Sequence, residues 1–270
     1  MAVEVVVADE QTAPGGVDWT VPRGARVYDY ILGGKDNFAV DREAAEKILA
    51  VAPDSRRLAQ AQRAFLVHVV RLMAESGIRQ FLDLGTGIPT SPNVHETARA
   101  VDPSARVIYV DFDPMVVVHN RALLATDDGV IAIEADIRKP EEILADPELE
   151  ALIDFSKPVG VLLLAVLHNV SDEEDPARII ARFRDQMAPG SYIAISQFSS
   201  DSRPEATAEL EAVYADTPWP KTLRSPDEIL RFFDGFELVP PGLADMDQWV
   251  PDADVPPTAL KIPGGVGRKI

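Results

Sequence analysis

The residues of this chain best placed to do chemistry stand where apolar runs end. Asp83 closes the run "QFLDLG" and leads into Gly85-Thr86-Gly87; Asp111 and Phe112 close a second run, Asp136 and Ile137 a third, and His168 a fourth. Two glycines around a threonine leave a loop that no bulky side chain shields, so its backbone can come close to a ligand. A carboxylate beside such a loop repels a pyrophosphate but suits an ammonium group. Asp111, 28 residues after Asp83, falls at the end of the next run. A carboxylate there can accept both hydroxyls of a ribose. Phe112 can lie on the flat face of a base, and Asp136 can accept from an exocyclic amine.

Ammonium, ribose and adenine together describe S-adenosyl-L-methionine, a nucleoside cofactor without phosphate. The dinucleotide fingerprint G-x-G-x-x-G is broken, because Thr90 stands at the third glycine position behind Pro89. The phosphate loop G-x-x-x-x-G-K-[ST] is absent as well. A glycine pair alone equally serves a tight turn with no ligand. Four strand ends of matching chemistry favour the cofactor, and they disfavour a nucleotide-dependent oxidoreductase.

For these residues to meet, the strands must run parallel with their carboxyl ends together. Strand and helix patterns alternate from Gln80 onward: strands "QFLDLG", "ARVIYVDFD", "GVIAIEADI", "PVGVLLLAVLH" and "GSYIAISQF", with helical stretches between them. Nearly continuous apolar strands imply a parallel sheet covered on both faces, an α/β fold. The first of these helices is expected over Thr90 to Ala100, with Ser91 before Pro92 as its cap. Beyond Ser199 the pattern predicts helices from Pro204 to Tyr214 and from Pro226 to Phe233, and a strand within "GFELVPPGL".

Ahead of the sheet, residues 1–22 read as a loose terminus broken by Pro14, Gly15 and Gly16. Residues 23–78 read as a helical lid, and 79–270 as the cofactor-binding domain. Within the lid, "RGARVYDYILGGKDNF" predicts a short helix ending in a Gly33-Gly34 turn, followed by two helices that break at Pro53. The second places Leu58, Phe65, Val69, Leu72 and Met73 on one face. Tyr28 and Tyr30 cannot both face one core from a helix, so one of them is left for another task.

The net charge of -18 argues against nucleic acid, whose phosphates call for clustered Lys and Arg; the chain has 26 of these against 44 acids. No cysteine is present, which excludes disulfides, thiolate metal sites and a cysteine nucleophile. The histidines lie far apart and offer no metal pairing, so no metal is expected. The acids from Asp172 to Asp175 precede Pro176 and read as a helix start, not a metal cluster. No run reaches the ~18 apolar residues of a membrane helix, so a soluble cytoplasmic protein is expected, with no membrane partner. A homodimer is left open. His95 reads as structural, and Trp219, between two prolines, as either a pocket cover or a packed loop aromatic.

Several stretches resemble the actinobacterial S-adenosyl methyltransferase family long classed as a domain of unknown function. They are "ARVYDYILGGKDNFAVDREAAE", "QFLDLGTGIPTSPNVHE", "VIYVDFDPMVVVHNRALL", "EADIR", "LLLAVLH" and the terminal "GGVGRK". The resemblance runs from Arg23 to nearly the end of the chain, and the first motif is the most specific. It implies a Rossmann-like class I methyltransferase, with a mostly parallel seven-stranded sheet whose last pair is antiparallel. It also implies methyl transfer from S-adenosylmethionine to an unidentified acceptor, a small molecule being expected. The cofactor set would be Asp83, Gly85, Thr86, Gly87, Asp111, Phe112, Asp136, Ile137 and Ala165. The lid would offer Arg26, Tyr28, Tyr30, Gly34, Lys35 and Asn37, with Arg26 or Lys35 on the methionine carboxylate. His168 is the candidate general base, by analogy with strand-four residues near the transferred methyl. The signature of Asp or Asn before two prolines and an aromatic is missing, which counts against a nucleobase amine as acceptor. A non-catalytic cofactor sensor is the alternative from another class.

Overall fold

The computed structural model describes residues 18–124, 127–215, 217, 220–251 and 258–270. Trp219 and residues 1–17 of the expected loose terminus lie outside them. Three helices come first: α1 (Gly24–Leu32), α2 (Ala39–Val51) and α3 (Ser55–Glu75). Then β1 (Gln80–Leu84), α4 (Val94–Val101), β2 (Arg106–Asp111), α5 (Pro114–Leu123) and β3 (Val130–Glu134) alternate. They are followed by α6 (Pro140–Leu144), α7 (Pro147–Leu152), β4 (Gly160–Leu164), α8 (Pro176–Gln186) and β5 (Tyr192–Ser196). The remainder supplies α9 (Pro204–Ala215), α10 (Pro226–Arg231), β6 (Phe236–Leu238), α11 (Met246–Trp249) and β7 (Gly264–Lys269).

The strands form one seven-stranded sheet in the order β3-β2-β1-β4-β5-β7-β6. β1 to β5 are parallel, and β7 runs antiparallel to both its neighbours. The order reverses between β1 and β4, and at such a switch point a crevice opens beyond the carboxyl ends of the strands. Successive strand residues feed opposite layers, as the period of two requires. Phe81, Val107, Tyr109, Leu162 and Ala194 join the layer of α3 and α4. Leu82, Ile108, Val110, Leu163 and Ile195 join the layer of α7, α8 and α10.

α3 is part of this sandwich. Its Phe65, Val69 and Met73 share one core with Phe81, Leu162 and Val266, so the core has no break at the boundary expected between residues 78 and 79. α1 and α2 add Val27, Ile31, Ala45 and Ile48 to the same core, and α2 rests on α9. β7 carries only a weak strand signal in its sequence, because glycine is depleted in strands. Its glycines make room instead. A Cβ at Gly264 would lie 2.6 Å from Phe65 Cζ, and one at Gly265 would lie 2.8 Å from Phe233 Cζ.

The helix after the glycine loop starts later than expected, and Ser91 is not its cap. Asn93 occupies that position: its Oδ1 accepts from Thr90 N at 3.1 Å, and Glu96 reaches back to Asn93 N at 2.5 Å. Replacing Asn93 by Ala removes the bond that ties the loop to the helix start. Such a cap loss costs about 1 kcal/mol. Denaturant unfolding of Asn93→Ala should show a lowered midpoint with an unchanged slope.

Candidate active site

The loop after β1 is folded onto β2. Gly85 N and Thr86 N both donate to Val110 O, at 2.8 and 3.2 Å. Gly85 and Gly87 have φ values of 75° and 68°, in the left-handed region where glycine is the default residue. The two differ in surroundings. A Cβ on Gly85 would run into the Val166 side chain, whereas one on Gly87 would meet nothing within 4 Å. Gly87 therefore borders free space at the switch point.

Two buried carboxylates flank that space. Asp83 Oδ2 accepts from Thr86 Oγ1 at 2.9 Å. Asp111 Oδ2 accepts from Gly87 N at 2.9 Å and its Oδ1 from Asp113 N at 3.0 Å. Burial pushes the Asp83 carboxyl up to about 6, against the Thr86 hydrogen bond and the Arg63 charge, with the Asp111 charge adding to the rise. Burial likewise pushes Asp111 up to about 6, against hydrogen bonds from Asp113 and Gly87. Two poorly solvated acids thus stand beside an open glycine loop. Phe112, directly after Asp111, is 57 % exposed, uncommon for so large an apolar side chain.

At the third strand end, Asp136 is less open than expected. Arg138 binds both its oxygens, with Nε at 2.9 Å from each, and bridges on to Glu174 Oε1 at 2.9 Å. Burial acts to raise the Asp136 carboxyl, but the hydrogen bonds from Arg138 outweigh it and hold it below the ordinary value. Ile137 is buried in the core layer beneath. Ala165, just past β4, carries a φ of 53°, a strained value for a residue with a Cβ. Its N–H donates to Ser196 Oγ at 2.8 Å, and Ser196 Oγ also accepts from Gln62 Nε2 at 2.7 Å. That network fixes the turn which brings Val166 over Gly85.

His168, the candidate base, is enclosed by the protein. It is 3 % exposed, packs on Phe198 at 4.6 Å between ring centroids, and its Nδ1 has no partner among the described residues. Burial first, then the charges of Lys221 and Arg224, holds its imidazole well below the usual histidine range. A group so reluctant to take a proton makes a poor base. His168 belongs to the short 3-10 turn Leu167–Asn169, and its carbonyl accepts from Thr222 N at 2.8 Å.

Most of the expected lid contacts are also reassigned. Arg26 is buried and bound to Asp41, Asp18 O and Val21 O, so it is not free for a carboxylate. The Gly34 turn is shaped around Asp29, which leaves no space for a Cβ on Gly34 and accepts from Asn37 Nδ2 at 2.8 Å. Tyr30 donates to Glu46 at 2.7 Å, and Tyr28 to Ala59 O at 3.2 Å. The two tyrosines thus serve different faces, and both are used within the three N-terminal helices. Burial pushes the Tyr28 hydroxyl up to about 12, against the nearby Arg63 charge. Lys35 is exposed.

Two residues passed over in the sequence stand close to the site. Arg63, on α3, donates to Thr90 O and Pro92 O, and its charge reaches both Asp83 and Tyr28. Lys221 donates to Asn169 Oδ1, next to His168. Nothing local marks either of them, because each arrives from an element far away in the chain. The acidic run is a helix start: Asp175 Oδ1 accepts from Arg178 N at 3.0 Å, and Asp172 is taken up by Arg224. His95 is buried, with Nδ1 2.9 Å from the Tyr109 hydroxyl, in a structural setting.

The sequence profile of the family described as "S-adenosyl methyltransferase" matches residues 10–270. A solved structure from Thermobifida fusca YX, provisionally named a methyltransferase, is 41% identical over 95% of this chain and 98% of that one, with a TM-score of 0.87. A DUF574 family protein from Streptomyces avermitilis MA-4680 is 37% identical over 93% and 98% of the two chains, with a TM-score of 0.89. An O-methyltransferase family protein from Burkholderia thailandensis covers 80% of this chain and 60% of its own. At 17% identity and a TM-score of 0.50, it speaks to the fold alone. No curated protein matches the chain. The matched profile and two structures alike over nearly their whole length place the open glycine loop and its paired acids in a known setting: this chain belongs to the S-adenosyl methyltransferase family, with S-adenosylmethionine as its cofactor.

Proposed function

We propose that the crevice between β1 and β4 binds S-adenosylmethionine and presents it to a small-molecule acceptor. The observation that carries this reading is Gly87, a left-handed glycine facing free space while its N–H orients Asp111. Asp83 would hold the ammonium through its carboxylate, with Gly85 and Thr86 shaping the loop around it. Asp111 would accept the ribose hydroxyls and Phe112 would cover the adenine. Asp136, with one edge given to Arg138, would accept from the exocyclic amine, with Ile137 packing below. Ala165 would line the path between cofactor and acceptor. Arg63, with the exposed Lys35, would serve the carboxylate side, because Arg26 is held by Asp41.

When bound, the cofactor supplies an already activated methyl group on a sulfonium. The protein's task is then to orient the acceptor in line and keep water out, and orientation alone supplies up to ~7–11 kcal/mol of such a barrier. Among the described residues no helix is long and apolar enough to cross a membrane. The strong negative charge fits a small acceptor better than nucleic acid, and a cytoplasmic setting is proposed with it.

Titration calorimetry with S-adenosylmethionine should show saturable micromolar binding, and NAD should give no heat. Binding of NAD instead, or heat with neither from protein freed of carried-over cofactor, would overturn this assignment. A smaller effect is expected from Phe112→Ala. Loss of stacking on one base costs about 1–2 kcal/mol, which is roughly a 5- to 30-fold weaker Kd with the fold intact.

A further inference from the structure

We propose that Lys221 is the proton acceptor on the methyl-acceptor side of the site, and that the acceptor carries an acidic hydroxyl of the phenol type. The inference rests on the cofactor site proposed above. Its geometry starts at the glycine loop. Val166 closes over Gly85, and Asn169 Nδ2 donates to Val166 O at 3.0 Å. The other end of the same amide, Oδ1, accepts from Lys221 Nζ. Lys221 is therefore tied, through a single side chain and one short helical turn, to the residue that borders the cofactor loop. On its other side Nζ lies 5.0 Å from the centre of the Tyr214 ring of α9, the helix on which α2 rests. An amine between an amide and an aromatic wall suits a flat ring bearing a hydroxyl.

The surroundings fit a base. Among the described residues, the groups facing Lys221 are the neutral amide of Asn169, the ring of Tyr214, the buried His168 and, further off, Arg224. Arg224 is already engaged by Asp172, Leu167 O and Val170 O. Among the described residues no carboxylate forms an ion pair with Lys221, and burial pushes its ammonium down to about 7. A base of that strength can take the proton of a phenol, with an ordinary pKa of ~10, but not readily that of an aliphatic alcohol. In the step proposed, Lys221 Nζ takes the hydroxyl proton while the oxygen's lone pair forms the bond to the methyl carbon. The electron pair of the broken carbon–sulfur bond stays on sulfur. The products are the methyl ether, the thioether and a lysine ammonium.

Two measurements test this. Competitive acetylation of the whole chain across a pH series, read by peptide mass spectrometry, should show Lys221 labelling with a midpoint near 7. Lys261, raised by its Asp201 partner, serves as the control that labels only at higher pH. Labelling of Lys221 together with the surface lysines would overturn the proposal. The second follows labelled methyl transfer from S-adenosylmethionine to phenol, 4-nitrophenol, aniline and an aliphatic alcohol, with the wild type, Lys221→Gln and Lys221→Arg. Both variants should bind the cofactor like the wild type yet lose about 100-fold or more in kcat on phenol. They should lose little on 4-nitrophenol in mildly alkaline buffer, where it is already ionised. Equal losses on both phenols, no loss, or a wild type that uses only the amine, only the alcohol or no member of the panel would each overturn it. Loss of cofactor binding in Lys221→Gln would do so too, by making Lys221 a cofactor residue. Failure of the wild type to bind S-adenosylmethionine would sink the underlying site, a result the titration reads separately.

Discussion

Asp111→Asn is expected to weaken S-adenosylmethionine binding about 100-fold while leaving the chain folded. The reason lies in what the carboxylate already does. Its two oxygens order Gly87 N and Asp113 N, so the loop geometry and the proposed ribose contact depend on one group. Asn keeps one acceptor and loses the charge, and hydrogen bonds to charged groups contribute about 1.5–3 kcal/mol each. Asp111→Ala goes further. It leaves the buried N–H groups of Gly87 and Asp113 without their partner and should also cost about 1–3 kcal/mol in stability. Calorimetry of both variants beside thermal unfolding separates the two effects. Undiminished binding by Asp111→Asn would show that the ribose lies elsewhere.

The same acids give binding a pH dependence whose sign can be worked out. Burial raises the carboxyls of Asp83 and Asp111 to about 6 in the folded chain. A ligand that brings an ammonium and ribose hydroxyls favours the ionised forms, so it must displace any protons they hold. Affinity is then full above ~7 and falls as the pH drops through 6, by about tenfold for each acid at pH ~5. The contribution of the pair to apo-protein stability runs the other way. Between the ordinary value of 3.8 and about 6, the folded state keeps protons that the unfolded chain releases. Stability from these groups therefore declines as the pH rises through that window. Cofactor affinity and apo stability moving in opposite directions would be hard to explain by general acid damage. A flat binding profile from pH ~8 to ~5 would remove both acids from the site.

What could be read in the sequence divides along physical lines. The strand ends were legible because polar residues interrupt apolar runs there, and a parallel sheet gathers those ends in one crevice. β7 was not, because its glycines answer to Phe65 and Phe233, side chains from other elements. The cap of α4 is Asn93 and not Ser91: Asn93 and Glu96 stand at capping-box spacing, and Ser91 before Pro92 mimics a helix start two residues too early. Within the N-terminal helices the contacts are long-range for a different reason. Arg26 looked available because its partner Asp41 stands in the next helix, and a buried pair cannot be told from a free cation by type. Asp29 drew Gly34 and Asn37 into one turn, so a dense motif proved to serve its own fold. Arg63 and Lys221 carry no local mark, because long-range packing alone brings Arg63 beside Asp83 and Lys221 beside Asn169.

Gly85 and Gly87 should respond to the same substitution in different ways. Both lie in the left-handed region, where an alanine costs roughly 1–2 kcal/mol. At Gly85 the new methyl also collides with Val166, on a turn already strained at Ala165. Overpacking of that kind adds about 1–3 kcal/mol, so Gly85→Ala should unfold at clearly lower denaturant. Val166→Ala introduced with it should restore part of the loss, because it removes the atoms the methyl meets first. At Gly87 the methyl enters free space, so stability falls only by the backbone cost. That free space is where the cofactor is proposed to lie, and Gly87→Ala should therefore lose S-adenosylmethionine affinity by about 100-fold in a chain that still folds. Unfolding curves and titrations of the three variants give the contrast directly. If Gly87→Ala binds as tightly as the wild type, the loop is a turn and not a cradle, and the paired acids beside it need another partner.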